Sequence, residues 1–398
     1  MILLSGADLV LPNRIVSPGT LVLDGERISD IVPGTRARSA GPTSVDHVHF
    51  DLHQHIIVPG FIDVHVHGVE GTDALDGDDA IRVMAERLTR FGVTGFCPTS
   101  IACAPPALRR MLAAVRRARM SPPAGGARVL PAHLESNFIN PMFNGAQPLE
   151  CLRLPHGHGH AEGEFSGDEI LEEIAAARPD VGIVTVAPEL DGALDLIRDL
   201  AAHGHHVSLG HSGASYEEAN AGIDAGARQA THLFNRMPPL RHRAPGLAGA
   251  VLEHDDVIAE IICDGAHVHP SMARVAIAAK RPQGVMAITD GTAGSGLPRG
   301  AQTRLGGRRI TVGDVANLDD GTIAGSVLTM DRAFGKLVTA MRLSLIDAAT
   351  VCSTTPARAL GLQGFGVIAP GSAADLVVLD RDLRVVHTFV GGALVWSR

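Results

Sequence analysis

Residues 61–68 read FIDVHVHG, with His65 and His67 two apart at the end of an apolar run. On a strand that spacing points both imidazoles the same way, so both can meet one metal ion. Further residues of ligand type follow similar runs: Glu135 after RVLPAHL, His211 in SLGHSGA, His232 in QATHLFN and Asp290 in AITDGTAGSG. Imidazoles and carboxylates in this mixture suit one or two divalent ions, with zinc preferred, Fe, Mn, Co or Cd as alternatives, and a coordination position left for water. A bound ion lowers the pKa of that water toward neutrality. Asp290, followed by Gly291, stands where it can take the water's proton and pass it to a leaving nitrogen; the blander reading is a cap on the next segment. The chemistry expected is metal-assisted hydrolysis of an amide. The histidines at 53, 55, 156, 158, 160, 203, 205 and 206 lie in Gly-rich or turn segments or before Pro59 and read as solvated or structural.

Ligands scattered this widely converge only if the ends of several strands share one mouth. Apolar runs at 61–67, 93–99, 128–134, 181–187, 206–210, 228–232, 258–263 and 284–289 alternate with helix-period segments at 79–91, 105–119, 167–178, 191–203, 215–225, 270–280 and near 329–342. Alternation of this kind predicts a (β/α)8 TIM-like barrel, whose C-terminal mouth collects catalytic groups from several strands. The first 58 residues hold short strand-like runs broken by Pro-Asn, Pro-Gly and Asp-Gly turns, and the last 30 or so repeat that texture. Both ends are expected to meet in one small β-sandwich domain. The organisation is then 1–58 and 366–398 for the small domain and 59–365 for the barrel.

A chain of 398 residues exceeds what one hydrophobic core usually serves. Hydrophobic residues make up 45% and charged residues 19%, a globular balance rather than a disordered one. The net charge of −9, with no basic run beyond short pieces such as Arg116-Arg117, gives no footprint for nucleic acid. A small molecule is the expected partner. No stretch reaches the roughly 18 uncharged apolar residues of a membrane helix, and the N-terminus lacks a basic leader. Five cysteines without C-x-x-C spacing argue against a disulfide framework and for the cytoplasm.

The segments PGFIDVHVHG, GHSGASYEEA, THLFNRMPPLRHRAPGLAGA, DGAHVHP, ITDGTAGSGLP, AGSVLTMDRA and APGSAADLVVLD resemble the N-acetylglucosamine-6-phosphate deacetylases of the amidohydrolase superfamily. The resemblance runs through nearly the whole chain. It implies that Glu135, His211 and His232 hold the main ion, that His65 and His67 add a second, and that Asp290 is general base and acid. It places Gln147, Asn235 and His267 in the substrate pocket. Arg243, in an RAPG segment matching the family's REPG, would reach into the neighbouring subunit of a homodimer to bind the sugar phosphate. The implied reaction converts N-acetyl-D-glucosamine 6-phosphate to glucosamine 6-phosphate and acetate in amino-sugar catabolism. An alternative is a related deacylase of N-acetylgalactosamine 6-phosphate or another N-acyl amine. That alternative is raised by departures at Ser136, Asn137 and Gln147, the last replacing a histidine that polarises the acetyl carbonyl. A silent barrel used for binding is disfavoured because the ligand residues are intact. A ring-opening cyclic amidase is disfavoured because the fourth run, VGIVTVA, has no lysine to carboxylate.

Overall fold

The computed structural model describes residues 1–35, 48–155 and 164–398. Eight parallel strands form the central barrel: β1 (Phe61–Val66), β2 (Val93–Ser100), β3 (Ala132–Leu134), β4 (Val181–Val186), β5 (His206–Leu209), β6 (Gln229–Ala230), β7 (Ile258–Ile262) and β8 (Val285–Ile288). A two-residue strand, Arg128–Val129, precedes β3 and also pairs with β2. Helices and barrel lumen bury both faces of such strands, which is why they read as continuous apolar runs. All six residues of β1 and all six of β4 are buried.

Helices α1 (Ala80–Leu88), α2 (Pro105–Met120), α3 (Gly167–Ala176), α4 (Ala193–Ala202), α5 (Tyr216–Asp224), α6 (Gly246–Glu253), α7 (Pro270–Lys280) and α8 (Met330–Thr339) follow the strands in turn. Ser166 and Ser215 start α3 and α5 with capping boxes completed by Glu169 and Glu218, which satisfy free N–H groups of the first turn. The sequence reading missed α6, whose GLAGAVLE is short and glycine-rich. It also missed a three-stranded antiparallel insertion after β8: Gln302–Leu305, Arg308–Val312 and Ala316–Leu318, with its own small core.

The chain ends share a second sheet. Ile56–Pro59 pairs with Ile2–Val10 on one side and antiparallel to Leu376–Leu379 on the other. Leu4, Leu21, Ile57, Leu376 and Phe389 fill the core of this sheet. Arg128 joins it to the barrel through two bonds to Asp375, at 2.8 and 3.0 Å.

The barrel closes where the turn after β8 meets the end of β1. The Asp290 N–H donates to the His65 carbonyl at 2.9 Å, and the Gly291 carbonyl accepts from His67 and Gly68 at 2.8 and 2.9 Å. Below that clasp Thr289 Oγ1 donates to the buried Asp63 carboxylate at 2.5 Å. No helix among the described residues is long and apolar enough to cross a membrane.

A Cβ on Gly68 would lie 2.4 Å from the Thr72 carbonyl oxygen and 2.6 Å from the Ala293 amide nitrogen, both backbone atoms that cannot rotate away. Gly68→Ala should therefore destabilise the fold by about 1–3 kcal/mol or more, the range of overpacked sites. Urea unfolding of the variant beside the parent measures it; an unchanged midpoint would mean that the clasp yields freely.

Candidate active site

Glu135 follows β3, His211 lies two residues beyond β5, His232 two beyond β6 and Asp290 two beyond β8. His65 is within β1 and His67 just past it. All six of these predicted residues come together at the C-terminal mouth of the barrel. Three of them turn the chain sharply: His211, His232 and Asp290 have φ of 47°, 30° and 47°. Non-glycine residues avoid this left-handed region at a cost of about 1–3 kcal/mol each, and strain of that kind gathers at functional sites.

The Nε2 atoms of His211 and His232 lie 2.7 and 2.9 Å from Oε1 of Glu135 and 3.0 Å from each other. A second group adjoins it. His65 and His67 bring their Nε2 atoms within 3.2 Å of each other and 3.5 and 3.2 Å from Oδ1 of Asp290. His67 Nε2 is also 3.3 Å from Oε2 of Glu135, so the two groups touch.

The outer ring nitrogens explain which atoms face inward. His211 Nδ1 bonds the Phe143 carbonyl at 2.8 Å, His67 Nδ1 the Thr99 carbonyl at 3.3 Å and His65 Nδ1 the Glu260 carboxylate at 3.0 Å. A ring that donates from Nδ1 turns the Nε2 lone pair toward the site. Neighbouring lone pairs about 3 Å apart repel unless a proton or a metal ion lies between them, and a set of imidazoles and carboxylates this close together fits divalent metal. The field agrees. Burial opposes charge on His67, yet Asp290 and Glu135 lift its pKa to about 10, while His211 and His232 hold Glu135 well below the ordinary carboxylate range.

Several supporting residues escaped the sequence reading. Glu189, after β4, accepts from Ser212 Oγ at 2.7 Å and from the Gly213 N–H at 2.6 Å, fixing the loop beyond His211. His133 stands between the Val64 carbonyl and Thr185 Oγ1, at 3.0 and 2.9 Å. Burial raises Asp63 and Glu260 to about 7. Each of these sits within an apolar run or a turn, where only the rarity of a charged residue in such a place could have marked it.

A cavity of about 470 Å³ opens over the cluster, reaching His67, Glu135, His211, His232 and Asp290. Gln147, Asn235 and His267 line it too, with Met142, Leu305 and Ile323 among the walls. Gln147 is clamped: its Oε1 accepts from the Ala102 N–H at 2.7 Å and its Nε2 donates to Oε2 of Glu135. Asp264 anchors His267 through Nδ1 at 2.6 Å, and Asn235 bonds the His232 carbonyl at 3.2 Å. Arg243 is exposed and lies outside the cavity lining of its own chain. His53 and His55 are likewise outside it, and His205 is buried rather than solvated, with Nδ1 on the Val181 carbonyl at 3.0 Å. His156, His158 and His160 lie outside the described residues.

A parallel barrel with converging imidazoles and carboxylates at its mouth defines a metal-dependent hydrolase of the (β/α)8 type. The amidohydrolase family model matches residues 56–395. The chain is 34% identical over 377 residues to the N-acetylglucosamine-6-phosphate deacetylase of Vibrio furnissii, covering 94% of this chain and 87% of that one. It is also 34% identical over 343 residues to the N-acetylgalactosamine-6-phosphate deacetylase of Escherichia coli O157:H7, covering 85% and 87%. A solved N-acetyl-D-glucosamine-6-phosphate deacetylase from Mycobacterium smegmatis, in complex with N-acetyl-D-glucosamine-6-phosphate, superposes with a TM-score of 0.87 at 32% identity over 100% of this chain and 99% of that one. The chain therefore belongs to the amidohydrolase family, in its group of N-acetylglucosamine-6-phosphate deacetylases, and is a metal-dependent hydrolase of amide C–N bonds.

Metal should also hold the site together. Stripping the protein with a chelator and returning zinc should raise the midpoint of thermal unfolding, because an ion that binds only the folded chain adds about 2.7 kcal/mol at a free concentration about one hundred times Kd. Scanning calorimetry at graded zinc measures this, and an unmoved transition would count against a metal centre.

Proposed function

We propose that this chain hydrolyses the acetamide of N-acetyl-D-glucosamine 6-phosphate to glucosamine 6-phosphate and acetate, as a cytoplasmic homodimer. The observation that carries the reading is the set of His and carboxylate side chains converging beneath a cavity of about 470 Å³, in a chain alike end to end to deacetylases that carry this name. Five free cysteines support a reducing compartment.

In this reading Glu135, His211 and His232 hold the main ion and His65 and His67 a second, with zinc favoured by the imidazole-rich set. When bound, metal supplies Lewis-acid polarisation of the acyl oxygen and an acidified water. Asp290, buried but held below the usual carboxylate range by His65 and His67, accepts the water's proton and delivers it to the departing amine. His267, held by Asp264, and the Gln147 amide offer hydrogen bonds around the acetyl group, and Asn235 holds the sugar. Arg243, projecting from the protein surface, supplies the phosphate fork in the partner's site.

Asp290→Asn keeps the size of the side chain and removes the base, so turnover should fall by about 10²–10⁴-fold while zinc stays on Glu135, His211 and His232. Near-normal acetate release by that variant with metal bound would remove Asp290 from the mechanism. For substrate choice, acetate release should be strong from N-acetylglucosamine 6-phosphate and weak from its galactosamine epimer and from unphosphorylated N-acetylglucosamine. Arg243→Ala should raise KM for the phosphorylated sugar alone. Equal turnover of all three sugars by the parent would discard the phosphate reading.

A further inference from the structure

We propose that Glu260 is a positioning residue that sets the tautomer of His65 and the backbone of His232, joining the two ligand groups through one carboxylate oxygen. The inference deepens the metal reading of His65 and His232 and rests on it. Glu260 lies in β7 between Ala259 and Ile261 and is 0% exposed. Its Oε2 lies 3.0 Å from His65 Nδ1 and accepts from the His232 N–H at 3.3 Å. Its carbonyl accepts the next amide, Leu233 N–H, at 2.8 Å.

Because Oε2 already accepts the His232 N–H and any carboxyl proton would sit on Oε1, unpartnered among the described residues, Oε2 is an acceptor toward the ring as well, so the proton of His65 belongs on Nδ1. Nε2 is then a bare donor atom facing His67 and Asp290. The bonds to His232 and Leu233 grip the chain where His232 takes its left-handed φ of 30°, so the same residue steadies a ligand in each group. His65, His133 and Glu260 also stand close enough together to suggest a separate ion. Both ring nitrogens of His133 already have protein partners, at 3.0 and 2.9 Å, so hydrogen bonding accounts for that trio.

Packing alone gives no reason for Glu260. Among the described residues its Oε1 has no hydrogen-bond partner, and a buried carboxylate with a free oxygen is costly where an apolar residue would fit a strand. Orienting the ligands supplies the compensating reason.

The test compares the parent chain, Glu260→Gln and Glu260→Ala in two measurements. Long-range ¹H–¹⁵N imidazole spectra of the metal-free proteins, with His65→Gln for assignment, report the tautomer; zinc content and affinity are read after dialysis against buffered zinc. Parent and Glu260→Gln should show His65 protonated at Nδ1, whereas Glu260→Ala should lose that preference and bind zinc about 10–100-fold more weakly. Glu260→Ala with the parent's tautomer and zinc affinity would overturn the inference, even if it melts earlier. A parent chain with the Nδ1 tautomer and no zinc uptake would support the positioning role and overturn the metal reading instead.

Discussion

Glu135 is a carboxylate with almost no access to water, and the rest of the mouth is arranged around that charge. An isolated buried carboxylate would neutralise itself. Here imidazoles from the ends of β5 and β6 come within 3 Å of one oxygen and Gln147 donates to the other. These partners keep the group ionised without saturating it, because each histidine spends one nitrogen on the site and can exchange a proton for an ion. The same charge reaches His67, so the two groups of side chains behave as one electrostatic unit.

Holding six such side chains in one small volume requires backbone that ordinary strands do not offer. Strand ends deliver Glu135, His65 and His67 directly, but His211, His232 and Asp290 reach inward only through left-handed turns. Each turn has an external brace. Glu189 secures the loop beyond His211, Glu260 the chain at His232, and Asp290 is held through its own peptide, donating to His65 and accepting from Ser326 at 2.7 Å. The rigid barrel thus absorbs strain concentrated at its mouth.

Most of this was legible because parallel strands buried on both faces leave continuous apolar runs. The expected run at 181–187 is the strand Val181–Val186, and that at 284–289 is Val285–Ile288. Residues of the mouth stood out where a polar group ended such a run, as at Glu135 and Asp290. Glu260 and Asp63 did not, since each sits inside a run and resembles any interrupting polar residue. The insertion over residues 302–318 was hidden because its exposed, Arg-rich strands dilute the alternation on which strand reading depends. The bracing role of Glu189 is a property of folded loops, without local periodicity.

Gln147 shows what a substitution means once neighbours are known. In sequence it stands where the resembling family carries histidine, which suggested an uncharged donor for the acyl oxygen. In the fold its carbonyl is tied to Ala102 and one amide hydrogen to Glu135, leaving a single N–H for anything in the cavity. A neutral histidine tied in the same way, accepting from Ala102 and donating to Glu135, would keep no ring N–H for the cavity, so the amide retains a donor while titration is lost. The amide also adds a hydrogen bond to Glu135 that depends on no protonation state. In this chain, therefore, the pH response of the mouth rests with Asp290 and the histidines, and Gln147 contributes shape and one fixed dipole.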